Sequence, residues 1–495
     1  MNITLHPGKL KKSDLKLLLN ETNKLTLDKK CHAAIKKSAE VISNVVARGK
    51  TTYGVTTGFG ALANTTISKH ELTELQKNLV LSHACGCGEF LDDKIVRLIL
   101  ILKINCLARG YSGVKLTTID ALIKLLNANI YPCIPSQGSV GASGDLAPLA
   151  HLSCILLGVG HARYRGKIIT AKKALQLVHL KPLQLAPKEG LALLNGTQVS
   201  TSIALIALFA AEDLLMHALI AGAMSTDAAR ASYQPFDARI QKVRGHLGQI
   251  QVASKLRALL KDSQINASRR DRFKVQDPYS LRCQPQVMGA CSDLLNIHSK
   301  TLLIEANAVS DNPLIFNNSI LTGGNFHAEN VAFAADGIAL AIAEIGALSE
   351  RRIALLVDPH FSGLPAFLVK NSGLHSGFML AQVTAASLAS ENKSLAHPAS
   401  VDSIPTSANQ EDHVSMATFA ARRLFSMIEN TNTIVGIELL AAAQGIDLLK
   451  PLKTSPSLQK AHKLIRESIA FYAKDRYFAK DIAAIKSLMK SCALL

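Results

Sequence analysis

Apolar residues recur along most of the chain at the spacing of an α-helix. Between positions 92 and 108 they fall mostly on one side of the helix, at Val96, Leu98, Ile99, Leu102 and Ile104. The same periodicity predicts helices over residues 118–127, 145–157, 198–224, 286–308, 331–348, 379–390 and 418–443. Several of these segments exceed twenty residues and are apolar on more than one face. They predict a helical bundle whose faces are buried, in part by other subunits.

Strand patterns are few. Residues 162–170 and 314–321 each resemble a short hairpin, the second turning at Asn317-Asn318. Residues 51–60 contain three glycines and four threonines, which predicts a loop. We therefore expect a smaller mixed N-terminal region over residues 1–110, which carries this loop, and a mainly α-helical bundle domain over residues 111–495.

Composition agrees with a buried helical core. Hydrophobic residues make up 48% of the 495 residues, aromatic residues only 5%, and tryptophan is absent, which favours stacked helices over a sandwich or barrel. Residues 190–211 are uncharged and long enough to suggest a membrane span. The first half of that stretch carries Asn195, Thr197 and Gln198, so we predict a buried helix there and no membrane association.

The formal net charge of +18 suggests, as an alternative class, a helical protein that binds nucleic acid in a salt-sensitive way. The lysines are spread from Lys9 to Lys490, and no zinc-finger or RNA-binding signature accompanies them, so we expect no nucleic-acid partner. The first residues lack the apolar core of a signal peptide. Nine cysteines, an odd number, are scattered along the chain and indicate reduced thiols in a cytoplasmic protein.

The most unusual segment runs from Gly138 to Pro148, where five of the first seven residues are glycine or serine. Its plainest interpretation is a flexible turn that enters a helix, with Asp145 as the N-cap. A serine-hydrolase elbow needs glycine two residues after the serine, but Asp145 stands there. A phosphate-binding loop would need a Gly-Lys-Ser/Thr sequence, which is missing.

Small side chains also permit a third interpretation of this segment. A backbone nitrogen can attack a carbonyl two residues back only where the chain can bend sharply, and such a bend is strained. Gly144 offers the nitrogen, Ala142 the carbonyl, and Ser143 a hydroxyl that can leave as water. Loss of two waters would give 4-methylidene-imidazol-5-one (MIO), a conjugated electrophile built from the backbone.

The string Gly-Ser-Val-Gly-Ala-Ser-Gly-Asp-Leu-Ala-Pro-Leu-Ala-His at 138–151 resembles the cofactor-forming signature of the aromatic amino acid ammonia-lyases. Further segments that resemble this family lie at 53–60, 194–197, 276–286, 307–313, 323–327 and 409–413. The resemblance covers nearly the whole chain. It implies MIO without pyridoxal phosphate, a fumarase-like fold with a long central helical bundle, and a homotetramer whose active sites draw residues from several subunits.

Ser82-His83 together with Gln410-Glu411 resembles the branch of the family that acts on histidine. This implies elimination of ammonia from L-histidine to give trans-urocanate, the first step of histidine degradation. The alternatives are an ammonia-lyase for tyrosine or phenylalanine, or a 2,3-aminomutase with the same cofactor.

The resemblance also implies roles for individual side chains. Tyr53 would be the base, and Asn195 and Tyr279 would donate hydrogen bonds near the substrate carboxylate and the MIO carbonyl. Arg282 would bind the carboxylate through its two-pronged donor geometry, and Gln276 would help to hold that network.

A second group of residues would bind the imidazole ring of the substrate. His83 and Glu411 would hold the imidazole, which needs a hydrogen-bond acceptor and a second polar partner, and Phe326 would pack beside the cofactor. For Glu411 a plainer interpretation is that it belongs to an acidic helix N-terminus.

His83, Cys85 and Cys87 alternate as potential metal ligands, but no second pair follows at zinc-site spacing. We therefore expect no structural zinc in this segment. Cys85, Cys87 and His375 depart from the residues common at these positions in the family. The two thiols could make the protein sensitive to thiol reagents or soft metals.

Overall fold

Helices account for most of the chain in the computed structural model, which describes residues 1–268 and 275–494, so the mainly α fold class is confirmed. The elements before residue 198 are β1 Asn2–Leu5, α1 Lys12–Leu18, β2 Lys24–Leu27, α2 His32–Ala47, α3 Leu72–His83, β3 Cys87–Phe90, α4 Asp93–Leu107, α5 Leu116–Asn127, β4 Ile130–Pro132, β5 Pro135–Gln137, α6 Leu146–Cys154, β6 His161–Tyr164, β7 Lys167–Thr170, α7 Ala171–Leu177 and α8 Glu189–Leu194. The later elements are α9 Gln198–Ala228, α10 Ala238–Arg244, α11 Leu247–Leu260, α12 Gln264–Ala267, α13 Tyr279–Arg282, α14 Gln284–Ala306, β8 Leu314–Phe316, β9 Ser319–Leu321, α15 Glu329–Val357, α16 Pro359–Ser362, α17 Met379–Leu395, α18 Ala417–Arg422, α19 Leu424–Leu448, α20 Pro456–Ser468 and α21 Ala479–Lys490.

The chain forms two compact units. The first consists of Met1–Ile206, Ser299–Asp336 and Pro398–Arg422, and the second of Ala207–His298, Gly337–His397 and Arg423–Leu495. Residue 110, the predicted domain boundary, lies inside the first unit. The division into domains at that residue stays a prediction.

The strands form small sheets in the first unit. β1 and β2 pair in parallel, β3 and β5 pair antiparallel, and β4, β6 and β7 form a three-stranded antiparallel sheet. Both predicted hairpins are confirmed, as β6–β7 and β8–β9. Asn317, in the turn between β8 and β9, has a φ of 53°, a conformation that asparagine tolerates better than most residues.

Most predicted helices are present with ends shifted by up to five residues, but α15 runs nine residues beyond the predicted end at 348. The segment 418–443 is divided between α18 and α19 at Arg423. The stretch 190–211 is buried as predicted, yet it is not one helix, since Asn195, Gly196 and Thr197 separate α8 from α9. Gly196 has a φ of 129°, a region that other residues rarely adopt, and this breaks the helix.

Two of the long helices, α9 and α15, are long and apolar enough to cross a membrane by length and composition alone. Their most apolar windows are 72% and 67% buried within the structure, as is usual for core helices.

The prediction that helix α4 buries mostly one side is wrong. Every residue from Ile95 to Leu107 is buried, including Arg97 and Lys103. Arg97 can be buried because its guanidinium donates to the backbone oxygens of Leu18 and Asn23, at 2.5 and 2.8 Å. Buried polar groups are tolerated when they are hydrogen-bonded in this way, and such partners cannot be read from helical periodicity.

The second unit is organised around α19, whose residues from Ile434 to Ile446 are buried, and which packs against α17 and α21. Glu438 on α19 forms a fully buried ion pair with Arg352, with Oε1 2.5 Å from Nε. The hydroxyls of Ser225 and Ser349 donate to the same carboxylate at 2.6 Å each. The charge on Glu438 is therefore fully compensated inside the helical core.

Candidate active site

Three helices of the first unit, α3, α6 and α8, pack against one another and bring separate parts of the chain to one cavity. His83 is the last residue of α3, α6 begins three residues after Ser143, and Asn195 follows the end of α8. The cavity has a volume of about 590 Å³ and is lined by Tyr53, His83, Ser143, Asn195, Phe326 and Glu411, among others. An adjoining cavity of about 630 Å³ shares Tyr53, Ser143, Phe326 and Glu411 with it and is also lined by Ala142.

The turn before α6 can be made only with glycine at position 144. Gly144 has a φ of 74°, and a Cβ atom there would lie 2.3 Å from the backbone oxygen of Gly196. The two glycines form an isolated β-bridge, and the amide of Asp145 donates to the oxygen of Gly196 at 2.8 Å. This close approach holds the backbone at 142–144 in a sharp bend, which fits the geometry that ring closure would need.

Asp145 is the residue before α6, as predicted, but its side chain does not cap the helix. One carboxylate oxygen accepts from the Thr418 hydroxyl at 2.7 Å, and the other from the amide and hydroxyl of Ser200 at 2.8 and 2.9 Å. Burial raises the pKa of this carboxyl above its ordinary value, although these hydrogen bonds oppose the shift. These hydrogen bonds anchor Asp145, which directly follows the bend at residues 142–144.

Two side chains contact Ser143 directly. Its Oγ donates to Glu411 Oε1 at 2.6 Å, and its backbone oxygen accepts from Asn195 Nδ2 at 2.8 Å. The backbone oxygen of Asn195 accepts in turn from Lys103 Nζ at 2.7 Å. Lys103 is fully buried, and burial lowers its pKa to about 8. A buried cation thus supports the asparagine that contacts the serine.

Tyr53 lies in the loop predicted for residues 51–60, which is confirmed to lack a regular helix or strand up to the short 3₁₀ turn at Gly60–Leu62. The amide of Gly60 donates to Tyr53 Oη at 3.3 Å, so the end of the loop contacts the tyrosine hydroxyl near its beginning. Tyr53 lines both cavities together with Ser143.

Glu411 lies in a tight turn and not at a helix N-terminus, since α18 begins only at Ala417. Thr406 and Glu411 form an isolated antiparallel bridge, and the Thr406 hydroxyl donates to Glu411 Oε2 at 2.7 Å. Across the cavity, burial lowers the pKa of His83, while its backbone contact to Leu79 and the charge of Glu411 raise it. His83 and Glu411 line the same cavity.

The remaining three predicted site residues lie in the second unit and line neither cavity. Arg282 Nη1 donates to Gln276 Oε1 at 2.7 Å, and its guanidinium carbon lies 4.7 Å from the centre of the Tyr279 ring. Tyr279 is 69% exposed. The three side chains thus form a cluster of their own at the surface of the chain.

The role of Lys103 in supporting the site was not predicted from the sequence. Asp145 was predicted as a helix N-cap but not as the residue that is anchored by Thr418 and Ser200. A lysine in the middle of the apolar run Ile101-Leu102-Lys103-Ile104 was a signal that could have been used, because an unpaired charge is rarely buried. Nothing in the sequence indicates that Thr418 and Ser200 would meet Asp145.

All nine cysteines are free thiols, and Cys85 and Cys87 are exposed. The amide of Gly86, between them, donates to His151 Nε2 at 3.0 Å. The absence of a structural zinc in this segment stays a prediction.

Comparison with known proteins finds relatives along nearly the whole chain. The family model described as aromatic amino acid lyase matches residues 10–467. The chain is 60% identical to the histidine ammonia-lyase of Aliivibrio fischeri over 492 residues, which is 99% of this chain and 96% of that protein. It is 58% identical to the histidine ammonia-lyase of Vibrio cholerae over 493 residues, with the same shares of both chains covered.

Solved structures show the same relationship. Histidine ammonia-lyase from Trypanosoma cruzi superimposes with a TM-score of 0.91 and 41% identity, over 100% of this chain and 94% of that chain. Tyrosine aminomutase from Streptomyces globisporus gives a TM-score of 0.94 and 34% identity, over 100% of this chain and 98% of the other. Because the family model covers residues 10–467 and the relatives match nearly the full length, this chain belongs to the aromatic amino acid lyase family.

Proposed function

We propose that this chain is a carbon–nitrogen lyase that removes ammonia from L-histidine and releases trans-urocanate. The observation that carries the substrate assignment is the presence of His83 and Glu411 on the wall of the cavity that contains Ser143. An imidazole has two ring nitrogens, one a donor and one an acceptor in the neutral form, and these two side chains offer matching groups. Relatives 58–60% identical to this chain are named histidine ammonia-lyase.

The proposed cofactor is MIO, formed from Ala142, Ser143 and Gly144. The Gly144 nitrogen would bond to the Ala142 carbonyl carbon, whose oxygen leaves as water, and Ser143 would lose its hydroxyl and α-hydrogen as a second water. When formed, MIO supplies an electrophile that makes loss of the amino group easier. The fit is supported by the bend at Gly144 and by Asn195, which would hold the group through the carbonyl of residue 143.

The chain's own side chains would direct the proton. Tyr53 Oη, in the cavity shared with Ser143, would take a β-proton from the substrate as ammonia leaves the neighbouring carbon. Phe326 lines the same cavity and would pack beside the reacting groups. The bond broken at the β-carbon supplies the electrons of the new double bond, and ammonia takes the electrons of the carbon–nitrogen bond.

Gln276, Tyr279 and Arg282 would bind the substrate carboxylate from a neighbouring subunit of a homotetramer. Their cluster is solvent-accessible in the single chain, and a planar guanidinium suits a carboxylate. Large apolar side chains are exposed on the long helices, including Ile304, Leu340 and Leu380, which suits helices covered by other subunits. We place the protein in the cytoplasm, where nine free thiols remain reduced.

An ammonia-lyase or aminomutase acting on tyrosine or phenylalanine is the less favoured alternative, since identity to the solved tyrosine aminomutase is 34%. The test is to add L-histidine, L-tyrosine or L-phenylalanine to the purified protein and follow the ultraviolet absorbance of the conjugated product. We expect a rise with histidine alone. A rise with tyrosine and none with histidine would overturn the substrate assignment.

A further inference from the structure

We propose that His327, Glu329 and His413 form a binding site for a divalent transition metal ion of the zinc class. The site lies on the wall of the adjoining cavity, which both histidines line. It is separate from the Cys85–Cys87 segment and does not depend on the proposed reaction.

The three side chains place one ligand atom each within 4.8 Å of the others. His327 Nδ1 lies 3.9 Å from Glu329 Oε2, and His413 Nε2 lies 3.8 Å from the same oxygen. Zinc bonds of about 2.0–2.2 Å in a tetrahedral site set neighbouring ligands roughly 3.3–3.6 Å apart. The two distances to Glu329 exceed this spacing by a few tenths of an ångström, and the two nitrogens, which lie within 4.8 Å of each other, would approach by up to about 1.5 Å. All three side chains are partly exposed, so side-chain rotations can supply this movement.

The hydrogen bonds around the cluster orient it toward a cation. His327 Nε2 lies 3.2 Å from the backbone oxygen of His413, which can only accept, so this nitrogen carries the ring proton. In the neutral ring Nδ1 then has its lone pair free toward Glu329. Metal-bound histidines show this arrangement, with the second ring nitrogen donating to a carbonyl or carboxylate.

Glu329 Oε2 is buried and has no hydrogen-bond partner among the described residues. A buried carboxylate oxygen without a donor is unfavourable, and the nitrogens of His327 and His413 lie beyond hydrogen-bonding distance from it. The imidazole rings are nearly parallel, 9° apart, with 5.7 Å between their centres. Because the lone pair of an imidazole nitrogen lies in the ring plane, one ring would rotate for both rings to bind the same ion. A cation at this position would compensate the carboxylate.

The donor set indicates which ion would bind. Two imidazole nitrogens and one carboxylate oxygen suit zinc and its neighbours in the first transition row, whereas calcium and magnesium prefer oxygen alone. Three protein ligands leave a position for water or another small ligand, and the cavity offers room for it. Because His327 follows Phe326 and His413 lies two residues after Glu411, the ion would tie together two segments of the cavity wall.

The test is a titration of the full-length, chelator-treated protein with Zn²⁺ alone, in competition with a chromophoric chelator. Two variants remove a ligand, His413→Gln and Glu329→Gln. The His413 side chain is 66% exposed, so its replacement should not disturb packing. A matched control, Cys85→Ser with Cys87→Ser, removes the two exposed thiols of the other segment considered as a metal site. Thermal unfolding without metal checks that each variant folds.

We expect one Zn²⁺ per chain in the wild type and in the cysteine variant, and binding at least about tenfold weaker in the two ligand variants. Zn²⁺ should raise the unfolding midpoint of the wild type and leave that of His413→Gln unchanged. Equal binding by His413→Gln and the wild type would overturn the proposal. So would loss of binding in the cysteine variant alone, or no stoichiometric binding by the wild type. If Glu329→Gln does not fold, the comparison of His413→Gln with the cysteine variant decides.

Discussion

Ser143 and Glu411, 268 residues apart in the chain, are joined by a hydrogen bond of 2.6 Å from the serine hydroxyl to the carboxylate. The hydroxyl is the group proposed to leave as water when MIO forms. Its departure would leave Glu411 Oε1 without that donor, at the wall of the same cavity. The N–H of a substrate imidazole is the donor that we expect to take its place.

Glu411→Gln tests this relationship, because glutamine keeps the shape and an acceptor oxygen but removes the charge. We expect kcat/KM for L-histidine to fall by roughly tenfold to a hundredfold, as for loss of a charge-assisted hydrogen bond. The loss of two waters at residues 142–144 should still occur. Asp402→Asn, an exposed acid in the same region, serves as the control. Unchanged turnover in Glu411→Gln would rule out its role in holding the substrate ring.

Gly144→Ala tests whether ring closure needs the backbone conformation that only glycine adopts here. Alanine retains the backbone nitrogen that reacts, so only the conformation changes. Its Cβ atom would lie 2.3 Å from the Gly196 oxygen, so we expect no MIO and activity reduced at least about a thousandfold. Gly166→Ala is a matched control, because Gly166 has the same φ of 74° but no atom within 4 Å of the added Cβ. Peptide masses and histidine turnover of the two variants give the comparison. Formation of MIO in Gly144→Ala would contradict the steric argument for the bend.

Periodicity predicted the long helices and both hairpins because each depends on neighbours within a few residues. It did not predict that α4 is buried on all sides, since the partners of Arg97 are backbone oxygens at Leu18 and Asn23, far away in the chain. The break at Asn195–Thr197 was missed for a related reason, because it is imposed by the approach of Gly196 to Gly144.

The site was predicted in part. The resemblance of local motifs located Tyr53, His83, Asn195, Phe326 and Glu411, which line one cavity with Ser143. It could not indicate that Lys103 supports Asn195 from a buried position, because that contact spans 92 residues and involves a backbone oxygen. The position of Arg282 relative to a bound substrate depends on other subunits and stays a proposal.

Subunit mixing tests whether the carboxylate-binding residues come from another chain. Ser143→Ala and Arg282→Met should each be nearly inactive as pure proteins. If each active site combines residues of different chains, co-expression should restore activity, up to about a quarter of the sites in randomly mixed oligomers. Histidine turnover of purified mixed oligomers is the measurement. The same low activity in mixed and pure oligomers would mean that one chain supplies both residues.

Lys103 should make stability depend on pH. Below pH 8 the folded and unfolded chains both carry its proton, and the buried charge lowers stability. Burial lowers its pKa to about 8 from 10.5, so between these values the unfolded chain binds more protons and stability rises with pH. Relative to Lys103→Met, the wild type should gain up to about 3 kcal/mol over this range.

Thermal unfolding of both proteins between pH 7 and about 10, at one protein concentration, measures this difference. A difference in unfolding midpoint that is independent of pH would show that Lys103 does not change its protonation in the folded protein over this range.

The mass of the peptide that contains residues 138–151, taken from freshly folded protein, shows whether the cofactor forms. If Ala142, Ser143 and Gly144 form MIO, this peptide is lighter than its sequence by two water molecules, and the corresponding peptide of Gly144→Ala has its full mass. A full-mass peptide from active wild-type protein would show that the chain acts on histidine without MIO.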